Sequence, residues 1–332
     1  MKRGVGFVLV ALALVAVSCS SGPKGAQTYS IQADAATPAG KNFQFSAFYP
    51  TEIKARPGDT ITIVNGGSIA PHSVSFGVKP DHSNAPPLVG PGGENPAVFR
   101  ACVLPTDPTA KLLSCPAQYA KPAEYTGKGY WNGFMLPHGT PAQAGPSSVT
   151  LKLSSSIAPG TYHFQCLLHS PMQANLEVVS SDSDRKKPAD ITAAVTSAVD
   201  SAQKAAADIK PPTVSAGQVA AGYSSTDVAV NEFYPKDLTV KSGTKVTWKD
   251  FSDFEPHTVT FGSPMAQGSP SAFFAPSGTA NNGSFSGGKA NSGIFGGDLP
   301  GPKEFSLTFA TKGKYSYLCE LHPGMVGTVT VN

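Results

Sequence analysis

The sequence predicts an all-β fold, two tandem antiparallel β-sandwiches joined by a linker. Three observations predict it. Glycine and proline are abundant (34 and 30) while charged residues make up only 14% of the 332. Apolar residues alternate two apart in short runs, and long stretches of the chain recur within it. At roughly 150 residues per domain, the length accommodates two domains. The glycine and proline content lies above that of an average soluble protein and below that of a disordered one, which suits many short strands joined by long turns. A helix bundle or coiled coil is excluded on the same ground. The formal net charge is +3, from 25 Lys and Arg against 22 Asp and Glu, with no basic stripe of the kind that holds nucleic acid.

The chain opens with Lys2 and Arg3, an apolar run from Val5 to Val17, and then Ser18 and Cys19. This is an export signal over residues 1–18, too short to span a bilayer as a stable helix. Ala16-Val17-Ser18-Cys19 resembles a bacterial lipoprotein cleavage box, with Ala16 where leucine is usual, so Cys19 is the expected lipid attachment point. Cleavage by an ordinary signal peptidase, giving a soluble secreted protein, is the alternative. Residues 19–26 form a flexible tether under either reading. An oxidising location outside the cytoplasm also allows Cys102 and Cys115 to pair as a disulfide, the alternative being two unpaired buried thiols.

Self-comparison orders the rest. Phe48-Tyr49-Pro50 recurs as Phe233-Tyr234-Pro235, Gly58 as Gly243, and the Pro71-His72 to Gly77 stretch as Pro256-His257 to Gly262, all offset by 185. Farther on, Gly160 to Met172 recurs as Gly313 to Met325, offset by 153. The first copy therefore carries 32 additional residues, within a Gly/Pro-rich loop insertion at about 78–148. Ile53, Ala55, Ile61 and Ile63 in one copy, and Leu238, Val240, Val246 and Trp248 in the other, alternate around a glycine turn as half-buried strands do. Domain 1 is expected over 27–180, a linker over 181–215 and domain 2 over 216–332. Within the linker, Ile191, Val195, Val199, Ala202 and Ala206 have helical spacing, so Ala189 to Ile209 reads as a helix, with an Ala-rich spacer as the alternative.

In each copy one histidine on an alternating strand is followed by Cys-x-x-His-x-x-Met. Two imidazoles, a thiolate and a thioether form the soft, mixed donor set of a trigonal copper site with a long axial methionine. The candidate ligands are His72, Cys166, His169 and Met172, and His257, Cys319, His322 and Met325. Structural zinc has no use for the thioether. His82, His138 and His163 lack such a context and read as surface residues. A degenerate first site, keeping its Cys and His only as packed residues, is the alternative there.

These motifs resemble those of the blue copper proteins, the cupredoxins, in a tandem plastocyanin/amicyanin-like form, from about Phe43 to Val178 and from about Val228 to Val331. The resemblance implies two Greek-key sandwiches, one type 1 copper in each, and transfer of single electrons between redox partners. It also implies that His169 and His322 reach the surface through apolar patches, Leu167, Leu168 and Pro171 around one and Leu321, Pro323 and Val326 around the other, where partners dock. Two departures stand out. Ser73 and Thr258 follow the first ligand histidine where many relatives have asparagine, and Ala174 stands where the second copy has Gly327.

Two linked cupredoxin domains also occur in multicopper oxidases and nitrite reductases, which use His-x-His pairs and a histidine directly before the ligand cysteine. Here Gln165 and Leu318 precede the cysteines and no His-x-His occurs, so the expectation is an electron carrier and not an enzyme. A copper-binding or copper-delivery protein is the second class. The expected location is outside the cytoplasm, on the outer face of the membrane or in the periplasm, held by a lipid on Cys19.

Overall fold

The first copy of the repeat folds because alternating residues of its strands face one interior. In Thr28–Ala33, Thr60–Asn65 and Ser148–Leu153 every second side chain is buried. The computed structural model describes residues 25–67, 69–86, 89–90, 93–94, 124–139, 146–262 and 275–332. The export signal with Cys19, and the Cys102 and Cys115 pair, lie outside the described residues.

One sheet of this copy runs in the order Phe48–Tyr49, Thr28–Ala33, Thr60–Asn65, Ser148–Leu153, Glu124–Tyr125. The other runs Trp131–Met135, His72–Phe76, Gly160–Gln165, Gln173–Val178, Glu52–Ala55. Tyr29, Ile31, Ile61 and Leu151 from the first pack against Val74, Phe76, Phe164 and Leu176 from the second. The insertion at 78–148 is more than loop, since Glu124–Tyr125 and Trp131–Met135 extend one edge of each sheet.

The second copy repeats the plan with two six-stranded sheets. One is ordered Phe43–Phe45, Val228–Tyr234, Gln218–Ser225, Thr244–Phe251, Glu304–Phe309, Gly283–Phe285. Its mate is ordered Asp237–Val240, Val326–Val331, Gly313–Leu318, Thr260–Phe261, Ala290–Asn291, Ser277–Gly278. Trp248, Phe261, Phe309 and Tyr317 fill the space between them. The expected antiparallel sheets are in fact mixed. Glu52–Ala55 and Thr60–Asn65 are not a hairpin, because they belong to opposite sheets, and each finds a parallel neighbour, Gln173–Val178 and Thr28–Ala33 respectively. The same holds for Asp237–Val240 and Thr244–Phe251, whose parallel neighbours are Val326–Val331 and Gln218–Ser225.

The linker helix spans Pro188–Ala207. Proline at its first turn lacks the N–H that would be orphaned there, while Asp190 and Lys204 complement the dipole at opposite ends. Ile191 enters the first core, and Ala206 with half-buried Val195, Val199 and Ala202 packs in a separate apolar cluster with Phe43, Phe45, Tyr49, Tyr223 and Val230. That cluster joins the two copies. Phe43–Phe45, which precedes the first copy's Phe-Tyr-Pro, pairs antiparallel with Val228–Tyr234 of the second, so one strand of the first copy completes a sheet of the other.

Candidate metal centres

The strand Gly160–Gln165 ends at Cys166, and a tight loop then reverses the chain. Met172 N–H donates to His169 O (3.1 Å) and Cys166 N–H to Met172 O (2.9 Å), so cysteine, histidine and methionine sit on one turn. Met325 to His322 and Cys319 to Met325 make the same two bonds at 3.1 and 2.9 Å. His72 comes from the adjacent strand His72–Phe76, His257 from the short strand Pro256–His257 that pairs with Phe295–Gly296, and all eight candidate ligands are buried.

Among the described residues, His72, Cys166 and His169 form one group and His257, Cys319 and His322 a second, the donor atoms of each lying within 4.8 Å of one another. In the first, Cys166 Sγ is 3.5 Å from His169 Nδ1 and 3.9 Å from His72 Nδ1, and the two Nδ1 atoms are 3.1 Å apart. In the second, Cys319 Sγ is 3.5 Å from His322 Nδ1. The imidazole centroids are 4.8 Å apart in both. A first-row metal with bonds of about 2.0–2.3 Å separates its equatorial donors by roughly 3–4 Å, so the donors are already at metal-binding spacing. His257 Nδ1 is buried without a hydrogen-bond partner, an orphan that a metal would satisfy. His82, His138 and His163 join neither group. His163 is half-buried instead of facing solvent freely, between Asn175 Oδ1 and Gln165 Oε1.

The two departures at the ligand loops have structural answers. Ser73 N–H and Thr258 N–H point at the cysteine sulfurs (3.3 and 3.4 Å), and the hydroxyls accept from Leu167 N–H and Glu320 N–H, each at 2.8 Å. A hydroxyl therefore ties the strand to the ligand loop, the task expected of asparagine. Gly327 lies opposite Tyr317, whose ring would meet a Cβ at 2.5 Å, whereas Ala174 lies opposite Phe164.

Beyond the donors, three residues that sequence reasoning missed set the surroundings. Asp34 Oδ2 accepts from His72 Nε2 at 3.0 Å, which leaves Nδ1 of that ring as the metal-facing atom. The equivalent position in the second copy is Gly222. Ile31 pairs with Ile63 and Val219 with Trp248, two positions related by the 185 offset, and counting three residues on gives Asp34 and Gly222. Both have positive φ, 60° and 77°. Glu255, in place of Ala70 before the repeated Pro-His, accepts from His322 Nε2 at 2.9 Å and lies 3.6 Å from His169 Nε2. An acid in an otherwise matching repeat was the available signal for Glu255; Asp34 had none.

His169 and His322 are therefore not the surface outlets expected of them. They are 5% and 3% exposed, turned toward one another across Glu255, because the strand pairing brings the ligand-loop ends of the two copies face to face. Leu167 is buried, while Pro323 and Val326 stay exposed. A groove of about 360 Å³ beside them is lined by Lys41, Asn42, Phe233, Lys236 and Met325.

The electrostatics of the metal-free centres follow from these contacts. Burial opposes the Cys166 and Cys319 thiolates, but the adjacent histidines, His169 and His322 foremost, hold both thiols well below their ordinary range. Burial likewise opposes charge on His72, which the bond to Asp34 and then Cys166 outweigh, carrying it up to about 10. Burial penalises the Glu255 carboxylate, yet His169 and then the bond from His322 hold it down to about 2. A carboxylate depressed in the folded state lends stability that is fully present above its unfolded value near 4.5 and is lost as pH falls through about 2. The metal-free protein is accordingly expected to lose on the order of 3 kcal/mol from this residue between about pH 4.5 and 2. Denaturant melts across that range, compared with Glu255→Gln, check it: the variant should show the shallower acid loss.

A family model of copper-binding proteins, the plastocyanin/azurin family, matches residues 219–332, which fall in the second copy. Plastocyanin of Silene latifolia subsp. alba is 33% identical over 135 residues, covering 40% of this chain and 69% of the relative. Plastocyanin of Nostoc punctiforme is 33% identical over 108 residues, covering 32% and 68%. For the plastocyanin of Physcomitrium patens, 36% identical over 103 residues, the match covers 30% of this chain and spans half the relative's length. Among solved structures, a purple cupredoxin from Nitrosopumilus maritimus is 24% identical over 35% of this chain and 98% of that one, with a TM-score of 0.22. Amicyanin from Paracoccus versutus is 22% identical over 38% and 88%, also with a TM-score of 0.22. Among the described residues, no helix is long and apolar enough to cross a membrane.

Proposed function

Because the chain belongs to the plastocyanin/azurin family of copper-binding proteins, we propose that it is an electron carrier holding one copper in each copy of the repeat. His72, Cys166, His169 and Met172 hold the first, and His257, Cys319, His322 and Met325 the second. The observation that carries this reading is the pair of buried His–Cys–His groups, built alike, with Nδ1 atoms directed at a sulfur whose thiolate form is favoured. Bound copper supplies a one-electron couple in a donor set that suits neither oxidation state fully, so little rearrangement accompanies the change.

The protein's own share is to keep that donor set rigid and dry. Cysteine and histidine are fixed by one loop, the remaining histidine by strand pairing and core packing, and the sulfur by a backbone N–H from Ser73 or Thr258. Among the described residues, neither group carries a neighbouring histidine pair for a further catalytic metal. Redox partners reach the second centre from the groove at Lys41, Asn42, Pro323 and Val326, which Met325 lines, since the histidine ends face inward. Export and a lipid on Cys19 would place this exchange outside the cytoplasm, at a membrane surface.

Metal analysis with optical and paramagnetic spectra of the oxidised protein tests the reading. Two coppers per chain with intense thiolate-to-copper absorption are expected. Cys319→Ser should remove one copper and the second centre's share of the absorption, leaving the first. Weak colour with ready loss of metal to a chelator would favour copper delivery, and rapid turnover of nitrite or phenols an enzyme.

A further inference from the structure

Among the described residues, Glu255 is the acid of the second copy that reaches both groups. Its Oε1 takes the Nε2–H of His322 at 2.9 Å, and its Oε2 faces His169 Nε2 at 3.6 Å. The residue is 4% exposed. Gln44 Nε2, from the strand that crosses between the copies, donates to Oε2 at 2.7 Å, and Glu255 N–H donates to Ser252 Oγ at 2.9 Å, so the carboxylate is held between the two rings. Asn231 Nδ2 in turn donates to Gln44 Oε1 at 3.2 Å. The repeat alone does not call for this arrangement, because the first copy has Ala70 at the matching position. One acid stands between two imidazoles that each present the opposite nitrogen to a cysteine sulfur.

We propose that Glu255 joins the two centres into one electrostatic unit, its buried carboxylate acting on both His169 and His322 so that charge at either centre alters the reduction potential of the other. The proposal rests on copper occupying both groups. In a dry interior a charge a few ångströms from each ring acts with little screening, and beyond each ligand histidine such an outer partner tunes the metal. Coupling between two sites is reciprocal, so the effect of the first on the second must equal that of the second on the first. Glu255 is a positioning residue here: it touches ligand side chains and not the metal.

A double-mutant cycle tests it. Cys166→Ala empties the first centre, and the potential of the second is followed by spectroelectrochemistry with Glu255 or with Glu255→Gln. With Glu255, emptying the first centre should change the oxidised-to-reduced ratio of the second at fixed potential by threefold or more, and Cys319→Ala should likewise change that of the first by threefold or more. In the Glu255→Gln background both effects should shrink to what direct interaction between the two centres leaves. Equal effects in both backgrounds, or none in either, would overturn the proposal. A copper–copper distance by pulsed paramagnetic resonance should be unchanged by Glu255→Gln; a lengthened one would show that the carboxylate merely holds the two copies together, and would also overturn it. A metal-free readout separates this proposal from the copper assignment. In nitrogen-15 spectra of the apoprotein, Glu255→Gln should shift the Nε2 signals of both His169 and His322, and a shift confined to His322 would sink the coupling even if copper binding stood.

Discussion

Replacing Gly222 by alanine is expected to disable the second centre and leave the first intact. Gly222 sits at φ +77°, in a bulge between Ala221 and Tyr223, and a Cβ built there would lie 1.9 Å from His257 Nε2. Two costs add. The left-handed backbone is unfavourable for an L side chain by about 1–2 kcal/mol, and overpacking a buried ring costs about 1–3 kcal/mol more. The imidazole can escape only by leaving the position that aims Nδ1 at the donor group. The first copy accepts a side chain at the equivalent position because Asp34 offers His72 Nε2 a hydrogen bond at 3.0 Å, whereas a methyl offers none. The expected result is a loss of about 3 kcal/mol in stability together with a roughly 10–100-fold weakening of metal affinity at the second centre, the usual effect of disturbing a ligand's outer support. Copper titration of Cys166→Ala with and without Gly222→Ala reads this directly, and unchanged affinity would refute it.

The second large effect is expected at Asp34, where alanine should destabilise the protein by about 4 kcal/mol, as removing one member of a buried charged network does. The carboxylate is buried and holds three groups: Ala35 N–H at 2.6 Å, Phe45 N–H at 2.9 Å and His72 Nε2 at 3.0 Å. Phe45 belongs to the strand that crosses into the other copy, so the loss spreads from the first centre to the joint between the copies. Chemical denaturation of metal-free and copper-loaded protein measures it; a loss under about 1 kcal/mol would contradict it. Asp34→Asn, which keeps the shape, is expected instead to raise the reduction potential of the first centre, since a negative charge beside a ligand favours the more positive metal. A tenfold change in the oxidised-to-reduced ratio, about 59 mV for one electron, is the scale to look for. Among the described residues no carboxylate bonds His257 Nε2, so the two centres should differ in potential even though their candidate ligand sets match.

This inequality between matching ligand sets shows where sequence reading succeeds and where it stops. The His–Cys–His groups were legible because the turn that carries them is local: Cys-x-x-His-x-x-Met is one loop, and the alternation of His72 with Val74 and Phe76 marks a strand within a few residues. The helix at Pro188–Ala207 was legible for the same reason, in its 3.6-residue spacing of apolar positions. Strand partnership was not, since Glu52–Ala55 and Thr60–Asn65 look like a hairpin along the chain and separate into opposite sheets in space. The insertion likewise conceals Trp131–Met135 at the edge beside His72–Phe76, a pairing that no turn signal announces.

What the order of residues determines by itself is the pair of His–Cys–His groups, because each depends on contacts within a loop and on the two-residue period of a strand. What only the folded molecule decides is that the two histidine ends close on each other and share Glu255. That arrangement depends on the crossing strand Phe43–Phe45 and on Gln44 meeting an acid 211 positions away. Such a contact leaves no period in the sequence, and its energy exists only once both sandwiches have formed and excluded water from the gap between them.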